Sequence, residues 1–430
     1  MKVIHITTSN KGGAGIAALR LHEELLSSGI DSQLLSLHQF PSTIKEQYLF
    51  DKRAYSFPLF VAAQDLFRKV LRRLNLYLPI AVKYSKKYLK NRPRGFEHFS
   101  FPFSDLSILK HPLVKRADII HLHWVCDGFL DYKNFFINCD KKIVWTLHDM
   151  NPFTGGCHHA DGCIKFETIC NNCPQLKNTI DENFSKTLLK IKENALKFVQ
   201  VDQLKITAPS IWLTVLSKKS SLFKRFAHYT IHNVADDNIF KPRSKTEVRQ
   251  KLNIPTEKKL VLFVAHNVSD KRKGTHFLID ALKHFGKDDS MLVCTVGSSS
   301  DLISFDLEHK KMGYVNEEQT MAELYAAADV FVLPSVAENF PNTICESLMC
   351  GTPVVAFNVG GISELLNDEN GVLVEPFNVN KLYNAIDLVL KNQSKFDRKQ
   401  ISENTFKQLD KKEIAKQFKD LYTEMLSVNA

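Results

Sequence analysis

The chain has 430 residues, 44% of them hydrophobic and 24% charged, and a formal net charge of +10. These proportions are typical of a soluble globular protein, and the length predicts two domains rather than one core. No apolar run approaches the ~20 residues of a membrane-spanning helix, and the start lacks the pattern of a signal peptide. Several of the nine cysteines lie in apolar stretches, so we expect a cytoplasmic protein.

A glycine-rich turn opens the chain. The apolar run Val3–Thr7 predicts a buried strand, Lys11-Gly-Gly-Ala-Gly15 follows it, and the next eleven residues have helical spacing. A strand, a glycine turn and a helix start together form an anion site. An ATP-hydrolysing P-loop would need Lys and Ser or Thr where Ile16 and Ala17 stand, so that class is disfavoured. Two readings stay open: a turn that only permits close packing, and a loop that faces a phosphate or substrate.

A basic amphipathic stretch comes next. Between Leu59 and Phe96 the only acid is Asp65, whereas ten Lys and Arg residues alternate with apolar side chains. This composition suits an anionic membrane surface. A solvated helical insert with a basic outer face explains it equally well. No nucleic-acid-binding module is recognised, so nucleic acid is not an expected partner.

Strands alternate with helices through the rest of the chain, which predicts parallel sheets covered on both faces. The expected fold class is α/β, with two doubly wound, Rossmann-like domains that face a cleft. The predicted strands are Val3–Thr7, Ser32–Leu37, Asp118–Trp124, Lys142–Leu147, Lys205–Ala208, Tyr229–His232, Leu260–Ala265, Met291–Val296, Met312–Val315, Val330–Pro334, Pro353–Phe357 and Gly371–Val374. The polar, proline-containing segment 233–259 separates the two halves.

These patterns give three predicted regions. Residues 1–236 form a first domain with the basic insert 59–97 and a cysteine-rich loop 155–174. Residues 237–410 form a second domain, and 411–430 form a helix that crosses back to the first domain.

Ligands of doubly wound sheets bind beyond the carboxyl ends of the strands. His148 and Asp149 end one apolar strand, and His121 and His123 are secondary candidates on the strand before it. A lone histidine at a strand end is often structural, so position is the main argument for His148.

A stronger pattern runs from Ala328 to Ala356. A strand ends at Pro334, a loop carries Glu338, and a helix that starts near Asn342 carries Glu346. The free amides of this helix start suit a diphosphate, and the two carboxylates can accept hydrogen bonds from sugar hydroxyls. Alternatively, Thr343-x-x-Glu346 is a capping box and Glu338 an ordinary loop acid.

The spacing of Glu338 and Glu346, followed by Gly351-Thr-Pro-Val-Val355, resembles the donor-site signature of the retaining family-4 glycosyltransferases, which have the GT-B fold. Further segments resemble that family in the same order: 206–212, 232–242, 313–317, 360–366 and 370–374. The resemblance implies transfer of a sugar from a nucleotide-sugar with retention of the anomeric configuration. It spans nearly the whole chain, and it implies that residues 1–236 are the acceptor-side domain and residues 237–410 the nucleotide-sugar-binding domain.

The resemblance also implies roles for single residues. Glu338 would contact the donor sugar, Glu346 the ribose, and His148 the sugar near the reacting centre, while Lys273 would neutralise the diphosphate. The family's Gly-Arg is replaced by Ala265-His266-Asn267, which leaves Arg272 as the candidate second cation. The remaining donor-binding candidates are Gly12, Gly13, Gly15, Tyr314, Asn339, Phe340, Pro341, Asn342 and Thr343. No isolated Asp-x-Asp occurs where a metal-dependent transferase needs one, so no catalytic cofactor is expected.

Four cysteines fall within 17 residues: Cys157, Cys163, Cys170 and Cys173. Four thiolates suit a closed structural zinc site, although the first spacing is longer than in a usual zinc knuckle. Free thiols and disulfides are the alternatives, whereas the segment lacks the ligand set of a catalytic metal.

The resemblance therefore implies a glycosyltransferase that uses a UDP- or GDP-sugar and a glycan or lipid-linked acceptor in surface polysaccharide synthesis. It would act in the cytoplasm, at the inner face of the cell membrane. The competing hypotheses are a non-catalytic nucleotide-sugar-binding or scaffold protein of the same fold and, less favoured, a sucrose-type synthase.

Overall fold

The computed structural model describes residues 1–52, 54–55, 79–96 and 98–427. The chain divides into two compact units, one of Met1–Ile231 with Ala415–Ala430 and one of His232–Ile414. Most of the predicted basic insert lies outside the described residues, which resume at position 79. Among the helices that are described, none is long and apolar enough to cross a membrane.

The described part of the first unit contains one parallel sheet with the strand order β3-β2-β1-β4-β5-β6-β7. Its strands are β1 (Lys2–Ser9), β2 (Asp31–His38), β3 (Gln47–Leu49), β4 (Ile119–Leu122), β5 (Lys142–Thr146), β6 (Leu204–Ala208) and β7 (Ala227–Thr230). Its α-helices are α1 (Gly12–Ser27), α2 (Ile80–Tyr88), α3 (Pro112–Arg116), α4 (Tyr132–Asn138), α5 (Phe184–Leu196) and α6 (Ile211–Lys219). The central strands are buried because they consist largely of apolar residues, as parallel sheets require.

The second unit contains a parallel sheet with the order β10-β9-β8-β11-β12-β13. Its strands are β8 (Lys259–Asn267), β9 (Met291–Ser298), β10 (Glu308–Lys311), β11 (Val330–Leu333), β12 (Val354–Phe357) and β13 (Gly371–Val374). Its α-helices are α7 (Lys245–Lys251), α8 (Thr275–Lys283), α9 (Glu318–Ala327), α10 (Asn342–Met349), α11 (Val379–Lys391) and α12 (Arg398–Gln408). The predicted α/β class with two parallel sheets is confirmed.

The last helix, α13 (Lys411–Ser427), begins in the second unit and belongs to the first from Ala415 onward. Phe418 and Tyr422 are buried, and the ring of Phe418 lies 5.3 Å from that of His121 on β4. Tyr422 Oη and His121 Nδ1 are 2.7 Å apart, so this helix covers one face of the first sheet.

Two strand predictions differ from the structure. The predicted strand Met312–Val315 is wrong: the edge strand of the second sheet is Glu308–Lys311, which pairs with β9. Its residues are charged or polar and partly exposed, so no apolar run in the sequence indicates this strand. The edge strand β3 was also missed in the first sheet, because its three residues are too few to form a recognisable pattern.

Candidate active site

The Glu338 carboxylate is the centre of a charged cluster in the second unit. Glu338 is only 8% exposed and lies in the loop that leaves β11. Lys273 Nζ donates a hydrogen bond to its Oε1 at 2.6 Å, and Arg272 Nη1 donates to the same oxygen at 3.1 Å. Arg272 Nη1 also donates to the carbonyl of Ala337 at 3.0 Å. A buried carboxylate thus holds two cations at the end of a strand.

The electrostatics of this cluster keep Glu338 charged. Burial opposes its ionisation, but Lys273 and then Arg272 outweigh burial and lower the pKa of Glu338 to about 2. Glu338 is therefore an anion at neutral pH. Because an unpaired buried charge is costly, the three side chains hold one another in place.

Backbone contacts fix the loop that carries Glu338. The amide of Val336 donates to the carbonyl of Arg272 at 2.8 Å, which ties the loop to the cationic turn. Gly274 and Gly360 both have positive φ, +70° and +60°. A Cβ on Gly274 would lie 1.8 Å from the carbonyl oxygen of Pro334, and a Cβ on Gly360 would lie 1.6 Å from that of Glu338. Glycine at both positions lets the backbone close around the loop.

Helix α10 follows this loop and begins at Asn342, with Pro341 at its N-cap. The capping-box alternative is wrong, because Thr343 lies inside the helix rather than at the N-cap position. Glu346 Oε2 instead accepts a hydrogen bond from Tyr325 Oη at 3.3 Å.

Two contacts near the start of α10 were not predicted. The ring of His232 stacks on that of Phe340, with the ring centres 4.7 Å apart, and Asn233 Nδ2 donates to Asn342 Oδ1 at 3.0 Å. Sequence spacing gave no signal for either, since the partners are more than 100 positions apart.

The remaining second-unit candidates surround this helix start or lie beyond β10. Asn339 is buried, and its carbonyl accepts from the amide of Gly361 at 3.1 Å. Tyr314 is 37% exposed and meets the ring of His266 edge-on at 5.1 Å. His266 is exposed near the end of β8.

In the first unit, the glycine turn splits into two parts. Helix α1 begins at Gly12, and a Cβ on Gly12 or Gly13 would meet no atom within 4 Å. A Cβ on Gly15 would lie 2.4 Å from the carbonyl oxygen of Ser9, so Gly15 permits close packing of α1 on β1. The Nζ of Lys11 lies 4.9 Å from the centre of the Phe40 ring. Gly12 and Gly13 are therefore the part of the turn that a ligand can approach.

His148 follows β5 and is half-buried. Burial lowers its pKa to about 4, so its imidazole is neutral at neutral pH. Asp149, the next residue, accepts hydrogen bonds from Trp124 Nε1 and His158 Nδ1, both at 2.7 Å. Burial opposes ionisation of Asp149, but His158 lowers its pKa and keeps it charged. Asp149 thus fixes the segment that carries His148.

The four clustered cysteines line one small cavity, together with Phe99 and Phe166. None of them forms a disulfide. Burial raises the pKa of Cys157 to about 12 and that of Cys170 to about 11. No three of the four sulfur atoms lie within 4.8 Å of one another in the described structure. The donor chemistry suits zinc, but the sulfurs would have to converge to bind it.

Comparison with known proteins finds a family match within the second unit. Residues 244–408 match the family model described as Glycosyl transferases group 1. A glycosyltransferase of Methanocaldococcus jannaschii is 33% identical over 158 residues, which are 34% of this chain and 39% of that protein. WcaC of Escherichia coli K12, whose name assigns it to colanic acid biosynthesis, is 22% identical over 391 residues, 85% of this chain and 84% of that protein.

Solved structures match along the entire chain. Sucrose-phosphate synthase from Thermosynechococcus elongatus superposes with a TM-score of 0.64 at 18% identity and covers 100% of both chains. HepE of Anabaena, in complex with UDP and glucose, gives a TM-score of 0.61 at 18% identity over 99% of this chain and 100% of that chain. The fold is therefore GT-B. The family domain and the relatives named as glycosyltransferases support a transferase enzyme.

The glycine contacts make a prediction about the Glu338 loop. Gly360→Ala is expected to lower the free energy of unfolding by roughly 2–5 kcal/mol, because it adds a clash with the Glu338 carbonyl to the strain of a left-handed backbone. Gly286→Ala is the matched control, since Gly286 has φ +63° and open space around its Cα. Gly286→Ala should lower the free energy of unfolding by only about 1–2 kcal/mol, the strain of the left-handed backbone alone. Denaturant unfolding measures both, and equal losses would contradict the proposed packing role.

Proposed function

We propose that this protein is a retaining glycosyltransferase of family 4, which moves a sugar from a nucleotide-sugar to a glycan or lipid-linked acceptor. The observation that carries the proposal is the cluster of Glu338, Lys273 and Arg272 beside the start of α10. The presence of UDP in the structure of HepE supports a nucleotide-sugar donor. The motif resemblance supports retention of configuration.

The charges of the cluster match the chemistry of the leaving group. When the glycosidic bond to the diphosphate breaks, negative charge grows on the leaving oxygen. Lys273 and Arg272 are pre-placed cations that can neutralise it, and the amides of the α10 start add a positive dipole. These groups supply the role that a divalent cation takes in other transferases, so we expect transfer to persist in EDTA.

The other residues have binding roles in this proposal. Glu338 accepts hydrogen bonds from donor-sugar hydroxyls, and Glu346 from the ribose. Tyr314 lies beside the nucleotide base. His148, as a neutral imidazole, donates a hydrogen bond to an oxygen of the sugar, and no protein nucleophile is used. Gly12 and Gly13 allow the backbone to approach the ligands.

A donor panel tests the proposal. UDP-, GDP-, ADP- and dTDP-sugars are added to the purified protein and the melting temperature is recorded. The true donor at about 100 times its Kd should stabilise the protein by about 2.7 kcal/mol. Release of nucleoside diphosphate then measures turnover, and Lys273→Ala should slow it about 10²–10³-fold because one transition-state cation is lost.

The matched control is Lys283→Ala, an exposed lysine of the same unit that pairs with Asp280 on α8. It should behave as the wild type. Unchanged turnover in Lys273→Ala would contradict the assignment of the site. Binding without turnover by the wild type, when acceptor fractions from the cell envelope are supplied, would favour the nucleotide-sugar-binding alternative.

We further propose that the acceptor is lipid-linked and that the protein works in surface polysaccharide synthesis at the inner face of the membrane. The names of relatives such as WcaC support the pathway class. In the described part of the basic stretch, Lys83, Lys86 and Lys87 of α2 are exposed, whereas Tyr84 and Tyr88 of the same helix stack on Phe184. The helix is thus anchored by aromatic rings and presents its cations outward.

Flotation with vesicles tests this membrane contact. The wild type should float with vesicles that contain phosphatidylglycerol and not with pure phosphatidylcholine. Replacing Lys83, Lys86 and Lys87 by Gln should reduce the partition coefficient about 100-fold, since each lysine near an anionic surface contributes about 1 kcal/mol. The same change at Lys391, Lys399 and Lys416, which are exposed elsewhere, is the charge-matched control. Equal flotation of both variants would remove the membrane from the proposal.

We also propose a structural zinc ion held by Cys157, Cys163, Cys170 and Cys173, with no part in the reaction. The shared cavity and the thiol donor set support it. Metal analysis should find about one zinc per chain, and Cys163→Ser should lower that content. Cys294→Ser, in the buried strand β9, is the control that should leave it unchanged. A wild-type content far below one zinc would contradict the proposal.

A further inference from the structure

Four buried histidines lie on one face of the first sheet. His5 of β1 and His121 of β4 are register partners, and His123 follows His121 by two positions, so the three point to the same face. His22 of α1 packs on His5 from the helix side, with the two ring centres 6.0 Å apart. The ring centres of His121 and His123 are 4.2 Å apart. A sheet face that apolar residues usually fill is here filled with imidazoles.

Three rings form a chain of hydrogen bonds that ends at His148. His5 Nδ1 lies 2.9 Å from His123 Nε2, and His123 Nδ1 lies 3.2 Å from His148 Nε2. His5 and His123 are buried, whereas His148 is half-buried. The hydrogen-bond chain therefore runs from the protein core to His148, the residue that the family resemblance implies to face the sugar.

Because the rings are neutral, the tautomer of each ring depends on that of its neighbour. Burial lowers the pKa of His5 and His123 well below the usual value, and the neighbouring His121 lowers both further. Each ring is neutral, with one N–H donor and one acceptor nitrogen. Each link then carries one proton. The nitrogen that carries the proton in one ring therefore determines which nitrogen carries it in the next. Only two arrangements are possible: all N–H donors directed toward His148, or all directed toward His5.

The buried end decides the direction. His5 Nε2 is buried and has no hydrogen-bond partner among the described residues. A proton there would be an orphaned donor, which is rarer in proteins than an orphaned acceptor. His5 therefore carries its proton on Nδ1 and donates to His123 Nε2. His123 in turn donates from Nδ1 to His148 Nε2, which leaves the proton of His148 on Nδ1.

We propose that His5 and His123 are positioning residues that hold His148 as the Nδ1–H tautomer, with a fixed ring orientation. His148 then presents a hydrogen-bond donor, rather than an acceptor, from its Nδ1. The benefit to transfer rests on the proposed function above, in which this donor meets an oxygen of the sugar. The tautomer itself is a property of the protein without substrate.

A metal ion is the competing occupant of this cluster, because nitrogen atoms of His5, His121 and His123 lie within 4.8 Å of one another. Both nitrogens of His121 are engaged, with Tyr422 Oη and with Thr146 Oγ1, each at 2.7 Å. Both nitrogens of His123 belong to the chain. A cation would have to break these hydrogen bonds, so the geometry favours the proton chain.

The experiment reads the ring nitrogens directly. Nitrogen-15 NMR of protein labelled at histidine distinguishes protonated from unprotonated ring nitrogens, and loss of signals in His148→Ala assigns His148. The wild type at neutral pH should show a protonated Nδ1 and an unprotonated Nε2 in His148. The opposite tautomer, an even mixture, or a metal ion bound to these histidines would overturn the proposal.

Variants test the role of the buried end. His5→Phe removes the donor, so the His148 Nδ1–H population should fall and turnover should slow by up to about 10²-fold, the cost of a lost pre-placed donor. His5→Asn places a carboxamide N–H near the original Nδ1 and should restore both. His22→Phe is the control, because His22 bonds Ser32 and the carbonyl of Lys45 outside the chain.

The two proposals can fail separately. A His148 tautomer that is unchanged in folded His5→Phe overturns the positioning role, whatever the activity. If His5→Phe does not fold, the wild-type spectrum still decides the direction of the chain. Nucleotide release that is unchanged in His148→Ala would instead contradict the proposed function and leave the tautomer result intact.

Discussion

The ion cluster of Glu338, Lys273 and Arg272 is the interaction on which the candidate site depends. A buried charge group is a poor stabiliser, because removing the charges from water costs about as much as their attraction returns. Apolar side chains of similar size would serve stability at least as well. The protein nevertheless places a carboxylate and two cations beyond β11 and keeps the carboxylate ionised. Such an arrangement is expected where the charges must meet a ligand.

A second buried carboxylate in the same unit shows the contrast. Asp329, just before β11, accepts hydrogen bonds from Arg249 Nη2 at 2.8 Å and from the amide of Leu260 at 2.6 Å. Arg249 also donates to the carbonyls of Ala327 and Lys258. This pair lies at the amino end of the parallel strands, the end opposite to that where ligands bind. It ties α7 to β8 and β11, whereas the cluster around Glu338 lies at the ligand-binding end.

The candidate site could be predicted from sequence where its residues are close along the chain. Glu338, Glu346 and Gly351 lie in one predicted strand-loop-helix segment, and the structure has that strand, loop and helix. The resemblance also implied Lys273 and Arg272, but their contact with Glu338 spans 65 and 66 positions and required the fold. The strand prediction failed at Glu308–Lys311, because these residues are charged or polar and an edge strand need not be apolar. The capping box failed because its Thr-x-x-Glu pattern recurs inside a helix.

The hydrogen-bonded chain of imidazoles could not be predicted from the sequence, because its members are far apart along the polypeptide. His5 and His123 are 118 positions apart, and each looks alone like a core histidine beside apolar neighbours. Only the parallel pairing of β1 with β4, and of β4 with β5, brings His5, His123 and His148 into line. A neutral ring must then donate once and accept once, so one buried nitrogen without a partner determines the proton of a residue two rings away. The information that sets the donor at His148 thus lies in the core, and a change at His5 alters that donor without touching a ligand.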